Sequence, residues 1–205
     1  MLWFAADLPN LISLAGLVSA MLAIYFAARG VLPAAMIGLV WAVAFDWFDG
    51  WIARRMSRRT DEQRTYGAQL DSLIDVVSFG VVPAVVLMSV GGFQPGFLPG
   101  AAIVLAGAVI RLAYFNVFGL ADSSTYRGLA LDNNAIILVA LFAFRPLFAA
   151  PVFPLVVCAL LVGLSALNIS PIKTPKFGGA FYYVVAAYAV AMSGVFGWQL
   201  LAYAR

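Results

Sequence analysis

Seven long apolar runs dominate this 205-residue sequence, and they leave few folds open to it. A run of ~20 apolar residues crosses a hydrocarbon core about 30 Å thick as a helix. Inside lipid every backbone N–H and C=O needs an internal partner, which helices and closed barrels alone provide. Gly, Pro and charged punctuation places the runs near 8–28, 32–55, 68–91, 97–118, 129–148, 152–169 and 178–203. The sixth is short and the last long enough to tilt or break, so about six to eight spans are expected. Only 10% of residues are charged, 64% are hydrophobic, and the mean hydropathy is +1.00. Soluble domains carry about 25% charged residues. The expected fold is therefore an all-α integral membrane protein, a polytopic helical bundle forming a single domain over 1–205. The first run has no basic flank or small-residue cleavage site, so it is expected to stay as a helix.

Alternating seven spans puts the loops at 54–66, 119–128 and 170–177 on one side. That side carries eight basic residues: Arg54, Arg55, Arg58, Arg59, Arg64, Arg127, Lys173 and Lys176. The other side carries three, Arg29, Arg145 and Arg205, while Arg111 falls within the fourth run. The positive-inside rule then turns the richer side to the cytoplasm, in a cell inner (plasma) membrane. The chain contains no histidine, which excludes imidazole catalysis and imidazole metal ligation. A lone Cys158 in an apolar run excludes an intramolecular disulfide and reads as a buried, inert thiol. A net charge of +3 in so apolar a chain gives no nucleic-acid signal.

Against this background four aspartates stand out. Asp46 and Asp49 lie i, i+3 at the end of the second run, and Asp71 and Asp75 lie i, i+4 near the start of the third. Each pair shares one helix face, and the 54–66 loop brings both faces to the same membrane surface. A carboxylate at membrane depth costs about 2.5–3.5 kcal/mol on the insertion scales, and gathered carboxylates raise one another's pKa. One or two divalent cations would satisfy them and clamp a transferring phosphate. With oxygen ligands alone, a hard cation such as Mg2+ or Mn2+ fits. Gly50, Gly67 and Ala53 leave room beside the acids, and Arg54 can reach a phosphate at the interface. Small residues in membrane helices also serve packing, and Arg54 also suits a basic flank. A divalent-cation transporter would use such acids too, but it would string polar groups through the whole membrane depth.

The order D-x2-D-G-x2-A-R, twelve residues, then G-x3-D-x3-D resembles the CDP-alcohol phosphatidyltransferase signature at every fixed position, eight residues over thirty. That resemblance implies metal binding by Asp46, Asp49 and Asp71. It implies that Asp75 helps bind metal and acts as the general base toward the incoming alcohol. Gly50, Ala53 and Gly67 match positions that line the CDP moiety. The implied reaction moves a phosphatidyl group from CDP-diacylglycerol to a hydroxyl and releases CMP. Homodimerisation, usual in the family, is a further expectation, together with contact to membrane lipids.

The acceptor is read from weaker residues. DSLIDVVSFGVVPA at 71–84 resembles the phosphatidylserine synthase branch, as do RLAYFN at 111–116 and the basic SPIKTPKF at 170–177. This points to L-serine, with glycerol 3-phosphate, inositol phosphate or another alcohol as alternatives. Arg111 is expected either to bind a substrate carboxylate or phosphate, or to pair with an aspartate of the cluster. Ser78 can bond substrate or its own backbone. The branch commonly has G-L-P-x-P where this chain reads Gly128-Leu129-Ala130-Leu131-Asp132-Asn133-Asn134, and often arginine where Tyr114 stands. Asp132, Asn133 and Asn134 are expected to cap a helix, or alternatively to contact the headgroup.

Overall fold

The computed structural model describes residues 2–122, 125–175 and 177–203; Lys176 and Arg205, counted above among the basic flanks, lie outside them. A short exposed helix, α1 (Leu2–Ala5), precedes α2 (Leu8–Ala28) and α3 (Leu32–Arg55). Then come α4 (Asp61–Asp75), a π-helical turn (Val76–Val81) and α5 (Val82–Val90), which together make one continuous span. α6 (Leu98–Phe118), α7 (Leu131–Ala143), α8 (Phe153–Asn168) and α9 (Phe181–Tyr203) complete the bundle. Five of these helical segments are long and apolar enough to cross a membrane, and α7 and α8 are shorter apolar helices. The chain is thus an all-α, multi-pass membrane protein.

Lipid supplies no hydrophobic drive between helices, so close backbone approach and buried polar contacts do the work. Along the α2–α3 seam Ala20, Ala23, Ala27 and Ala35 are fully buried. A Cβ on Gly38 would lie 2.8 Å from the Ser19 carbonyl oxygen, so the seam closes only with glycine there. α9 is fastened by Trp41 Nε1 donating to Ser193 Oγ (3.0 Å) and Tyr188 OH donating to the Ile136 carbonyl (2.8 Å). Cys158 is a free thiol whose Sγ packs where Gly100 of α6 leaves space.

Three boundaries differ from the sequence expectation. The third span begins at Asp61 instead of 68, because Thr60 and Gln63 form a reciprocal capping box that extends the helix into the polar loop. The fifth helix covers 131–143 instead of 129–148. Pro146, which cannot continue an α-helix, sits in a 3-10 turn at Arg145–Leu147. At the other end residues 125–127 (β1) pair antiparallel with 173–175 (β2), joining two loops that topology places on one side. The π turn follows Asp75, with Val82 N–H bonding Val77 O. Pro83 has no N–H to offer the preceding turn, which accounts for the widened ladder.

Candidate active site

The acids lie on the C-terminal parts of α3 (Asp46, Asp49) and α4 (Asp71, Asp75). Carboxylate oxygens of Asp46, Asp49 and Asp71 all fall within 4.8 Å of one another. Asp49 is buried and accepts a hydrogen bond from Ser13 Oγ of α2. Asp75 lines the same cavity, and its Oδ1 is buried with no hydrogen-bond partner among the described residues. An all-oxygen set of this density, largely withdrawn from water and holding an orphaned carboxylate oxygen, fits a divalent cation.

Two cavities meet at the acids. One, termed the outer cavity, about 450 Å3, runs between α2, α3 and α4 past Asn10, Ser13, Ala53 and Gly67. The other, termed the inner cavity, about 210 Å3, runs toward α6 and α7 past Arg111, Tyr126 and Asp132. Asp49, Asp71, Gly50 and Arg54 belong to both. A Cβ on Gly50 would meet the Arg54 guanidinium at 3.3 Å, and one on Gly67 would meet Arg59 Nη2 at 2.6 Å and Asn10 Oδ1 at 2.9 Å. Neither glycine brings helix backbones together; the side chains of Arg54, Arg59 and Asn10 pack against them beside the acids. Arg54 donates to Tyr182 OH and stacks 5.7 Å from that ring, which fixes it over the shared mouth. Burial pushes the Tyr126 phenol above its ordinary pKa, so it lines the inner cavity as a neutral hydroxyl.

Arg111 is buried in α6 and lines the inner cavity, where its Nε donates to the Leu129 carbonyl oxygen at 3.3 Å. It forms no ion pair among the described residues, so the expected alternative of a structural aspartate partner is not realised. The capping expectation for Asp132 is also corrected. Ala130 takes the N-cap position without a side-chain bond, and Asp132 sits within the first turn, with Oδ2 accepting from Trp47 Nε1 at 2.8 Å. Asn134 instead pairs with Asn168 of α8. Ser78 is buried in the π turn, outside the residues lining either cavity. Its Oγ has no partner among the described residues, so the backbone bond expected of a helical serine is not made.

Ser13, Trp47 and Tyr182 were not read from the sequence as site residues. Asn10 and Ser13, polar at i, i+3 in an apolar run, carried a usable signal. Trp47 and Tyr182 carried none, being aromatic residues in aromatic-rich helices.

The sequence model for CDP-alcohol phosphatidyltransferase matches residues 6–203. The chain belongs to that family. This phosphatidyltransferase is 34% identical over 177 residues to the archaetidylserine synthase of Methanothermobacter thermautotrophicus, covering 84% of this chain and 71% of that one. It is 34% identical over 154 residues to the CDP-diacylglycerol–serine O-phosphatidyltransferase of Methanocaldococcus jannaschii (74% and 69% covered). It is 28% identical over 173 residues to the enzyme of the same name in Bacillus subtilis (83% and 90%). The phosphatidyltransferase is therefore an enzyme of lipid synthesis, and the cation-transport reading falls away.

Proposed function

We propose that this phosphatidyltransferase moves the phosphatidyl group of CDP-diacylglycerol to the hydroxyl of L-serine, giving phosphatidylserine and CMP. The supporting observation is the junction of two cavities at Asp49 and Asp71, with Asp46 and Asp75 lining the one that reaches Arg111. The names of the three relatives above support serine, as does the length of their match.

The outer cavity, with Gly50, Ala53 and Gly67, receives the CDP moiety, and Arg54 meets its phosphates. Asp46, Asp49 and Asp71, with Asp75 beside them, would hold Mg2+ or Mn2+, and a bound ion would supply positive charge against the pyrophosphate. The inner cavity presents serine from the opposite side. Its hydroxyl oxygen bonds to the phosphorus that carries the diacylglycerol, the P–O bond to CMP breaks, and Asp75 Oδ1 accepts the hydroxyl proton. The basic loops support a cytoplasmic position for this end, where serine and the nucleotide are dissolved.

The test is CMP release from CDP-diacylglycerol by purified protein with Mg2+ or Mn2+, against serine, glycerol 3-phosphate and inositol phosphate. Serine-dependent release is expected. Release with a phosphorylated alcohol and none with serine would sink the acceptor assignment.

A further inference from the structure

The inner cavity holds two opposite charges that do not satisfy each other. Arg111, 5% exposed, is anchored through Nε to Leu129 O and backed by the Phe115 and Tyr126 rings, 5.2 and 5.6 Å from its guanidinium carbon. Asp132 lies in the first turn of α7, three residues beyond Leu129. Its oxygens accept from Trp47 Nε1 at 2.8 Å and Asn133 Nδ2 at 3.3 Å. A carboxylate has about four acceptor sites, so these two side-chain donors alone do not fill it. Neither residue forms an ion pair among the described residues, although both line the same cavity as Asp75.

Unpaired charges at membrane depth are costly, and one of each sign across a small cavity matches a zwitterion. The anchor under them is rigid. Leu129 O also accepts from Asn168 Nδ2 (3.0 Å), Leu129 N–H donates to Leu167 O (3.1 Å), and Gly128 N–H donates to Ile172 O (2.7 Å).

We propose that Arg111 and Asp132 form a zwitterion clamp, with Arg111 holding the α-carboxylate of the acceptor and Asp132 its α-ammonium. This rests on the serine reading above and names the residues that select serine. An anionic acceptor without an ammonium, such as glycerol 3-phosphate or inositol phosphate, would meet a fifth carboxylate in a cavity already lined by acids. Glycerate and ethanolamine each satisfy one arm only.

The experiment measures CMP release from CDP-diacylglycerol by the full chain with L-serine, glycerate or ethanolamine as acceptor. Wild type is expected to favour serine over both analogues. Asp132→Asn should raise the serine KM about tenfold or more and shrink the serine-to-glycerate ratio of kcat/KM by a similar factor. Its KM for CDP-diacylglycerol and its metal-activation midpoint should stay at wild-type values. Arg111→Gln should instead shrink the serine-to-ethanolamine ratio. Asp132→Glu, which keeps the charge, should retain discrimination against glycerate. Ratios taken within one protein are insensitive to lost fold. An unchanged serine-to-glycerate ratio in Asp132→Asn overturns the clamp, as does a raised metal requirement with unchanged serine KM. Wild-type protein that releases CMP with no serine dependence overturns the serine reading itself.

Discussion

The two walls of the inner cavity are built in different ways. The acidic wall comes from 30 residues of continuous sequence, in which two helix ends and the loop between them carry every carboxylate from Asp46 to Asp75. The opposite wall is assembled from distant pieces. Arg111 comes from α6, Asp132 from α7 and Tyr126 from β1, and β2 and α8 hold the segment between them through Thr174, Leu167 and Asn168. Under the proposed function the first wall meets the phosphates common to every CDP-lipid and the second faces the acceptor. That proposal puts chemistry on the locally encoded wall and selectivity on the tertiary one, so substitutions on the two should separate cleanly in kinetics.

The largest separation is expected on the acidic wall. Chelation of divalent metal should abolish turnover, with recovery on adding Mg2+ or Mn2+, and Asp46→Asn should reduce turnover to about 1% or less. Full activity in chelator would remove the metal from this site. Next comes Asp75→Asn, which should lower kcat about 10²–10⁴-fold while CDP-diacylglycerol binding persists. Wild-type kcat in that variant would take the proton-accepting role away from Asp75.

This asymmetry also decides what could be read in advance. The acids were legible because helical spacing alone puts i, i+3 and i, i+4 residues on one face, and apolar surroundings make each carboxylate conspicuous. The apolar runs gave the helices to within a few residues wherever Gly, Pro or charge ended them. Asp132 looked like a cap because Asp and Asn favour that position, yet the cap falls on Ala130 and Trp47 takes Asp132. The strand pair at 125–127 and 173–175 fixes where α7 begins, and no local pattern announces a contact as distant in sequence as that between Tyr126 and Thr174. Tertiary pairing overrode local propensity there.

A smaller effect should arise where the tertiary wall is pinned. Gly128 has φ +78°, and a Cβ there would run into the Asn168 carbonyl group. Gly128→Ala should therefore cost roughly 1–3 kcal/mol of stability. It should also raise the serine KM, because Leu129 and Asp132 follow directly. Thermal melting in detergent and serine titration check both parts. An unchanged melting temperature would show that the 128–130 segment is not the rigid anchor of this wall. CDP-diacylglycerol KM should move little, since the outer cavity lies on the other side of the acids.

The smallest effect tests a single N–H. In Trp47→Phe the ring contact with Tyr182, T-shaped at 5.5 Å, can persist, while the donor to Asp132 Oδ2 is lost. A hydrogen bond to a charged group is worth about 1.5–3 kcal/mol, and its loss leaves Asn133 as the side-chain donor that positions Asp132 for the ammonium. The net result should be a serine KM raised about three- to tenfold, with kcat and metal activation near wild type. Because Trp47 is on α3 one residue from Asp46, this variant sits on the boundary between the two walls. A drop in kcat without a change in serine KM would mean that Trp47 supports the acids and not the acceptor, and would erase the separation at a place where the walls touch.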